Sequence, residues 1–144
     1  MNNQTDRMIQ FYMSVAEKAG ELSRARRLQV GAVIVKDGRI ISMGWNGTPS
    51  GWDNNCEDEM QDGSLRTKPE VIHAEMNSIL FAARDGQSTR GCEIYVTHAP
   101  CIDCAKAIIQ SGIIRVYYNT DYRDSAGIEF LKMNNIKVLK MEDL

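Results

Sequence analysis

The chain has 144 residues, of which 43% are hydrophobic and 25% are charged, and both fractions are close to those of ordinary globular domains. This length predicts one domain, residues 1–144, with a hydrophobic core of normal size. The net charge of −2 argues against a dedicated nucleic-acid-binding protein, because such proteins usually carry a basic patch or a high pI.

The segments that could direct the chain to a membrane are absent from the sequence. Residues 1–7 are polar and contain no signal-peptide core, and no apolar run approaches the length of a membrane span. We therefore expect a cytoplasmic protein with no membrane partner. Thiols stay reduced in that compartment, so the four cysteines are interpreted as metal ligands or core thiols.

A first helix is predicted to begin near Thr5 or Asp6, either of which could cap it. Apolar residues then recur at spacings of three and four, which gives the helix one apolar face. Those residues are Met8, Tyr12, Val15, Ala16 and Ala19. Arg24, Arg26 and Arg27 follow, and they are either a solvated helix end or an anion site for phosphates.

A hairpin and a long loop are predicted next. Residues 28–36 are rich in β-branched side chains, which is typical of a buried strand, and residues 39–45 return as its partner. The intervening Asp37-Gly38 favours a type I′ turn. Residues 46–70 look irregular, and a loop of this length is either functional or a tolerated surface insertion.

The remaining chain alternates between predicted helices and strands. Helices are expected at residues 73–84, at 101–111, and from Asp124 or Ser125 to residue 134; strands are expected at 92–97, 113–118 and 136–139. A hairpin followed by three β-α-β crossovers predicts an α/β fold in which helices cover both faces of a mixed sheet. The last three strands should run parallel.

Two short motifs carry the predicted chemistry: H-A-E at residues 73–75 and P-C-I-D-C at residues 100–104. A catalytic zinc takes three nitrogen or sulfur ligands and keeps one position for water. His73, Cys101 and Cys104 supply those three ligands, and Glu75 is left as a proton carrier. The same pattern is typical of zinc deaminases that act on cytosine or adenine. A purely structural zinc remains the alternative, since spacing does not show an open fourth position.

With these motifs, the chain resembles the cytidine deaminase-like superfamily, and more closely its deoxycytidylate (dCMP) deaminases, over nearly its whole length. The matching segments are residues 30–35, 44–51, 73–77, 100–106 and 109–113. The two zinc motifs indicate the superfamily, and the segment G-W-N-G-T-P-S-G at residues 44–51 indicates the dCMP branch.

The resemblance implies a three-layer α-β-α fold with a five-stranded mixed sheet, and usually a hexamer. It implies one Zn²⁺ per chain and the hydrolysis of dCMP to dUMP and ammonia. Enzymes of this kind are often activated by dCTP and inhibited by dTTP, and Mg²⁺ would accompany such a bound triphosphate.

Individual residues take roles from the resemblance. Asn46 matches an asparagine that contacts the sugar, the backbone N–H of Ala74 could hold the pyrimidine carbonyl, and Tyr122 and Arg123 match a pair that approaches the substrate phosphate. The glycine-rich segment, its tryptophans and the nearby arginines suggest a second, triphosphate site. Its candidate residues are Arg26, Arg27, Gly47 and Trp52.

Three positions qualify the resemblance. Pro69 stands where some viral relatives have a histidine for a second, structural zinc, so Cys56 has no evident set of metal partners. His98 is interpreted as a hydrogen-bonding loop residue and not as a ligand.

Two other functions remain open from the sequence. The first is a deaminase of free cytidine, tRNA adenosine or another base, although a tRNA enzyme would want a basic face and free cytidine would not need Arg123. The second is a zinc module without catalytic activity, although a structural site has no use for Glu75.

Overall fold

The computed structural model describes residues 3–144. The helices are α1 (Asn3–Gly20), α2 (Ala74–Arg84), α3 (Ile102–Gln110) and α4 (Ala126–Met133), followed by a 3-10 turn at Met141–Asp143. The strands are β1 (Gly31–Lys36), β2 (Arg39–Trp45), β3 (Glu57–Glu59), β4 (Leu65–Thr67), β5 (Glu93–His98), β6 (Arg115–Thr120) and β7 (Lys137–Lys140).

Five strands form the central sheet in the order β2-β1-β5-β6-β7. β1 is antiparallel to both β2 and β5, whereas β5, β6 and β7 run parallel. The connections through α2, α3 and α4 are therefore three β-α-β crossovers. The predicted mixed sheet and its parallel half are confirmed.

Strand side chains alternate between two cores, because successive residues of a strand point to opposite faces. Val33, Val35 and Tyr117 pack on one face beneath α1, whereas Ile34 and Val116 belong to the core that includes residues of α2, α3 and α4. The protein is thus a three-layer α-β-α sandwich, as the resemblance implied.

The turn between β1 and β2 has the predicted geometry. Asp37 and Gly38 both have positive φ, 49° and 77°, which a type I′ turn requires of its two central residues. The turn sets the register in which Lys36 pairs with Arg39.

Two predictions about the N-terminal half were wrong. The first helix already includes Asn3, so Thr5 and Asp6 lie inside it and do not cap it. Residues 46–70 are not uniformly irregular, because β3 and β4 form an antiparallel pair within them, with Glu57 opposite Thr67. Strands of three residues are too short and too charged to show apolar alternation.

No helix within residues 3–144 is long and apolar enough to cross a membrane.

Candidate metal centre and active site

The predicted zinc ligands stand at the starts of two helices. His73 and Cys101 have extended backbone conformations and are the N-caps of α2 and α3, and Cys104 lies in the first turn of α3. Their carbonyl oxygens accept the first helical hydrogen bonds, at 2.9 Å each, from Asn77 and Ala105. The helix boundaries therefore fix where both side chains project.

The three side chains converge. His73 Nδ1 lies 3.5 Å from Cys101 Sγ and 3.4 Å from Cys104 Sγ, and all three atoms lie within 4.8 Å of one another. Tetrahedral zinc with ordinary bond lengths places nitrogen and sulfur ligands about 3.6 Å apart. The donor set and its spacing therefore fit Zn²⁺.

The contact between the two cysteines shifts their pKa values in opposite directions. A hydrogen bond from the Cys104 thiol lowers the pKa of Cys101 to about 4, and the same contact raises that of Cys104. The contact with Cys101 also raises the pKa of His73. Coordination through both sulfurs requires the Cys104 proton to leave, so zinc binding releases protons and weakens as the pH falls.

Glu75 lies in the first turn of α2 and is only 4% exposed. Burial raises the pKa of its carboxyl to about 7, although neighbouring groups, including His73, lower it. A carboxyl with a pKa near neutrality can both accept and donate a proton under ordinary conditions.

A pocket of about 340 Å³ opens onto this cluster. His73, Glu75 and Cys101 line it, whereas Cys104 is 2% exposed and reaches the cluster from the core side. Small-molecule sites commonly measure about 300–1,000 Å³. Because His73 and Cys101 line the pocket, water could reach a zinc that these residues would hold, which favours a catalytic over a structural zinc.

Two glycines let neighbouring elements approach the metal-binding segments closely. A Cβ at Gly44 in β2 would lie 2.7 Å from the carbonyl oxygen of Ala74. A Cβ at Gly127 in α4 would lie 2.1 Å from the carbonyl oxygen of Pro100 and 2.7 Å from the carbonyl carbon of Cys101. The start of α2 therefore packs directly on the backbone of β2 at Gly44, and the start of α3 packs directly on the backbone of α4 at Gly127.

The residues expected to hold the sugar and base lie in the same pocket. Asn46 Oδ1 accepts the N–H of Val30 at 2.8 Å, and its Nδ2 donates to the carbonyl of Leu28 at 2.7 Å. An amide has two donors and two acceptor lone pairs, so one of each remains for a ligand. Ala74 is the first residue of α2, where the backbone N–H has no acceptor within the helix.

Tyr122 and Arg123 line the pocket from the segment between β6 and α4. The guanidinium of Arg123 lies 5.8 Å from the centre of the Tyr122 ring. The adjacent Asp121 also lines the pocket, but its carboxylate contacts Lys140 Nζ at 2.7 Å, which lowers its pKa. This ion pair, which the sequence did not indicate, compensates a negative charge beside Arg123.

The candidate effector residues separate into two groups. Arg27 lines the pocket, whereas Arg26, Gly47 and Trp52 do not. The guanidinium of Arg26 contacts the carboxylates of Glu57 and Glu59, at 3.5 and 3.3 Å. Arg26 is therefore already engaged by two anions.

Gly47 and Trp52 lie nearby in the segment that follows β2. Gly47 exchanges two backbone hydrogen bonds with Ile72, the residue before His73. Trp52 is 60% exposed. The structure thus places Gly47 beside the metal centre, and neither Gly47 nor Trp52 lines the pocket.

His98 is the last residue of β5, not a loop residue, and it also lines the pocket. Thr97 Oγ1 lies 3.2 Å from the backbone nitrogen of Gly31 and 3.1 Å from His98 Nδ1. Because the hydroxyl oxygen accepts the N–H of Gly31, its proton can be donated to Nδ1. Burial lowers the pKa of His98, which favours the neutral form of the ring.

Comparisons with known proteins agree with this geometry. A family model for the cytidine and deoxycytidylate deaminase zinc-binding region matches residues 6–120. Deoxycytidylate deaminase of Enterobacteria phage T4 is 37% identical, with coverage of 76% of this chain and 76% of the phage protein. ComE operon protein 2 of Bacillus subtilis is 47% identical over 79% of this chain, which spans 60% of that protein's length.

A solved structure is similar over almost the entire chain. The dCMP deaminase of cyanophage S-TIM5, in complex with dCMP and dUMP, superposes with a TM-score of 0.86 at 42% identity. The match covers 97% of this chain and 98% of the phage chain. The resemblance predicted from the motifs is confirmed: the chain belongs to the family of cytidine and deoxycytidylate deaminases, which are zinc-binding enzymes.

Proposed function

We propose that the protein hydrolyses dCMP to dUMP and ammonia. The observation that carries this proposal is a cluster of three candidate zinc ligands beside a pocket that also contains a buried glutamate and two arginines. The named dCMP deaminases among its relatives support the same substrate. The reaction forms a C4–O bond with water and breaks the bond between C4 and the exocyclic nitrogen.

His73, Cys101 and Cys104 would hold the zinc. When bound, zinc acts as a Lewis acid that lowers the pKa of a water molecule to about 7. Glu75 would take one proton from the attacking water and deliver it to ring N3. It would then take the remaining proton from the hydroxyl group on C4 and give it to the amino group, which leaves as ammonia. The buried carboxyl suits this task because both of its protonation states are accessible near neutral pH.

The remaining pocket residues would orient the nucleotide. The free N–H of Ala74 would hold the pyrimidine carbonyl, and Asn46 would contact the sugar. Tyr122 and Arg123 would approach the phosphate. Arg123 forms no ion pair within residues 3–144, so its guanidinium remains available to an anion.

Substrate choice is tested by ammonia release from dCMP, dCTP, deoxycytidine and cytidine. We expect dCMP to be preferred, and Arg123→Ala to lower kcat/KM for dCMP about 10- to 100-fold, because hydrogen bonds to charged groups contribute strongly. Activity on deoxycytidine should change little. Equal losses of kcat/KM on both substrates would show that Arg123 supports the structure. A wild-type preference for cytidine would contradict the proposal that dCMP is the substrate.

We further propose a cytoplasmic hexamer that is activated by dCTP and inhibited by dTTP, with Mg²⁺ bound to the triphosphate. The support is the family resemblance together with the exposed Trp52 and the segment around Gly47 beside the metal centre. An effector acts only through its different affinities for two states, and coupling of about 5- to 150-fold is ordinary.

Regulation predicts a specific change in the dCMP saturation curve. Measured with Mg²⁺, the curve should be sigmoidal without effector, become hyperbolic with dCTP and become more sigmoidal with dTTP. Light scattering on the same samples reports the oligomeric state. Three superimposable hyperbolas would contradict the proposed regulation.

A further inference from the structure

Arg27 is a basic residue of the catalytic pocket whose position is fixed at two points. Its backbone N–H donates to Glu57 Oε2 at 3.0 Å, and its Nη1 donates to Thr67 Oγ1 at 2.9 Å. Glu57 and Thr67 pair directly across the β3–β4 hairpin. One hairpin therefore holds both the backbone and the guanidinium of this arginine.

Glu57 is compensated by Arg26 and not by the guanidinium of Arg27. Its side chain is 1% exposed, and a buried carboxylate is costly unless it is paired and hydrogen-bonded. Oε2 also accepts the N–H of Arg26 at 2.9 Å, and Oε1 lies 3.5 Å from Arg26 Nε. The guanidinium of Arg27 consequently forms no ion pair with any carboxylate in residues 3–144.

The charges around the pocket leave two arginines available to a ligand. Glu57 is paired with Arg26, and Asp121 is paired with Lys140. Arg27 and Arg123 line the same pocket from different segments of the chain, one before β1 and the other after β6. A phosphate monoester carries up to two negative charges and several acceptor oxygens, which suits two guanidinium groups.

We infer that Arg27 is a second phosphate-binding residue of the catalytic pocket, which contacts the 5′-phosphate of a nucleoside monophosphate together with Arg123. Glu57 and Thr67 are its positioning residues. This inference rests on the proposed function and assigns Arg27 to substrate binding instead of to a separate effector site. It also gives the β3–β4 hairpin a role in substrate selection.

The test compares Arg27→Ala and Thr67→Val with Arg24→Ala as a matched control. Arg24 lies in the same segment, is exposed and does not line the pocket. Arg27→Ala removes a charged hydrogen-bond partner and should lower kcat/KM for dCMP about 10- to 100-fold, mainly through KM. Thr67→Val should lower kcat/KM for dCMP about 3- to 10-fold. Thr67→Ser should keep the wild-type value because it retains the hydroxyl. Arg24→Ala should match the wild type.

Two further measurements separate the possible failures. With deoxycytidine, Arg27→Ala should act like the wild type; equal losses on dCMP and deoxycytidine would overturn the inference. Calorimetry with dUMP reports phosphate binding without turnover. If the zinc-loaded wild type does not bind dUMP, both the proposed function and the inference fail. If wild type and Arg27→Ala bind dUMP equally, or differ only in their response to dCTP, the inference alone fails.

Discussion

Replacing Glu75 by glutamine should remove nearly all deaminase activity while the protein stays folded and keeps its zinc. Glutamine has the same shape but cannot carry a proton from water to the base. General acid–base groups typically contribute about 10²- to 10⁴-fold, and this carboxyl is proposed to act at more than one step. The measurement is kcat with dCMP, together with zinc content per chain.

The stability of Glu75→Gln should equal or exceed that of the wild type, because a neutral amide is less costly to bury at this 4% exposed position than a charge. Binding of dUMP should be retained, which separates proton transfer from substrate binding. Glu70→Gln, an exposed change near the same helix, serves as the control and should leave turnover unaffected. Near-normal turnover by Glu75→Gln would show that another group moves the protons.

Replacing Gly127 by alanine should weaken zinc binding although this residue is not a ligand. The added Cβ would lie 2.1 Å from the carbonyl oxygen of Pro100 and 2.7 Å from the carbonyl carbon of Cys101. Both neighbours are backbone atoms, so no rotamer change relieves the clash, and α4 or the start of α3 must move. Overpacking costs about 1–3 kcal/mol or more. Disturbed support around a metal ligand typically costs about 10- to 100-fold in affinity.

The assay for Gly127→Ala is competition for zinc against a chelator, with Cys104→Ser as the reference for loss of a ligand. Gly31→Ala is the matched control, because its Cβ would clash with the carbonyl oxygen of Ala16 in α1, on the other face of the sheet from α4. Gly31→Ala should lower the melting temperature, yet its folded fraction should hold zinc normally. Equal zinc affinities for Gly127→Ala and the wild type would contradict the proposed support of the metal centre.

The sequence predicted the sheet and the metal cluster because both have local signals. Apolar periodicity marks the helices and central strands, and the spacing of residues 73–75 and 100–104 places each ligand at the start of a helix. Asp37-Gly38 specified its turn because two positive φ values suit few residue pairs. The extent of the domain over residues 1–144 stays a prediction.

The parts that could not be predicted depend on contacts between distant residues. Charged pairs such as Arg26 with Glu57 and Asp121 with Lys140 follow no periodic pattern. The β3–β4 hairpin is local, and it was missed because its three-residue strands are too short and too charged to show apolar alternation. In the sequence, Gly127 is only a residue of low helix propensity. The need for glycine at this position comes from the backbone at the start of α3, which α4 approaches closely.

The mixed sheet has a consequence for the order of folding. β1 and β2 are joined by two residues, and such hairpins close in about 1–10 μs, whereas parallel pairing of β5, β6 and β7 must wait for long connections to close. Cys101 stands at the start of α3, between β5 and β6, and His73 stands at the start of α2, in the long connection from β2 to β5, so we expect the metal site to assemble late. Productive folding then depends on Cys101 and Cys104 staying reduced until both crossovers have closed.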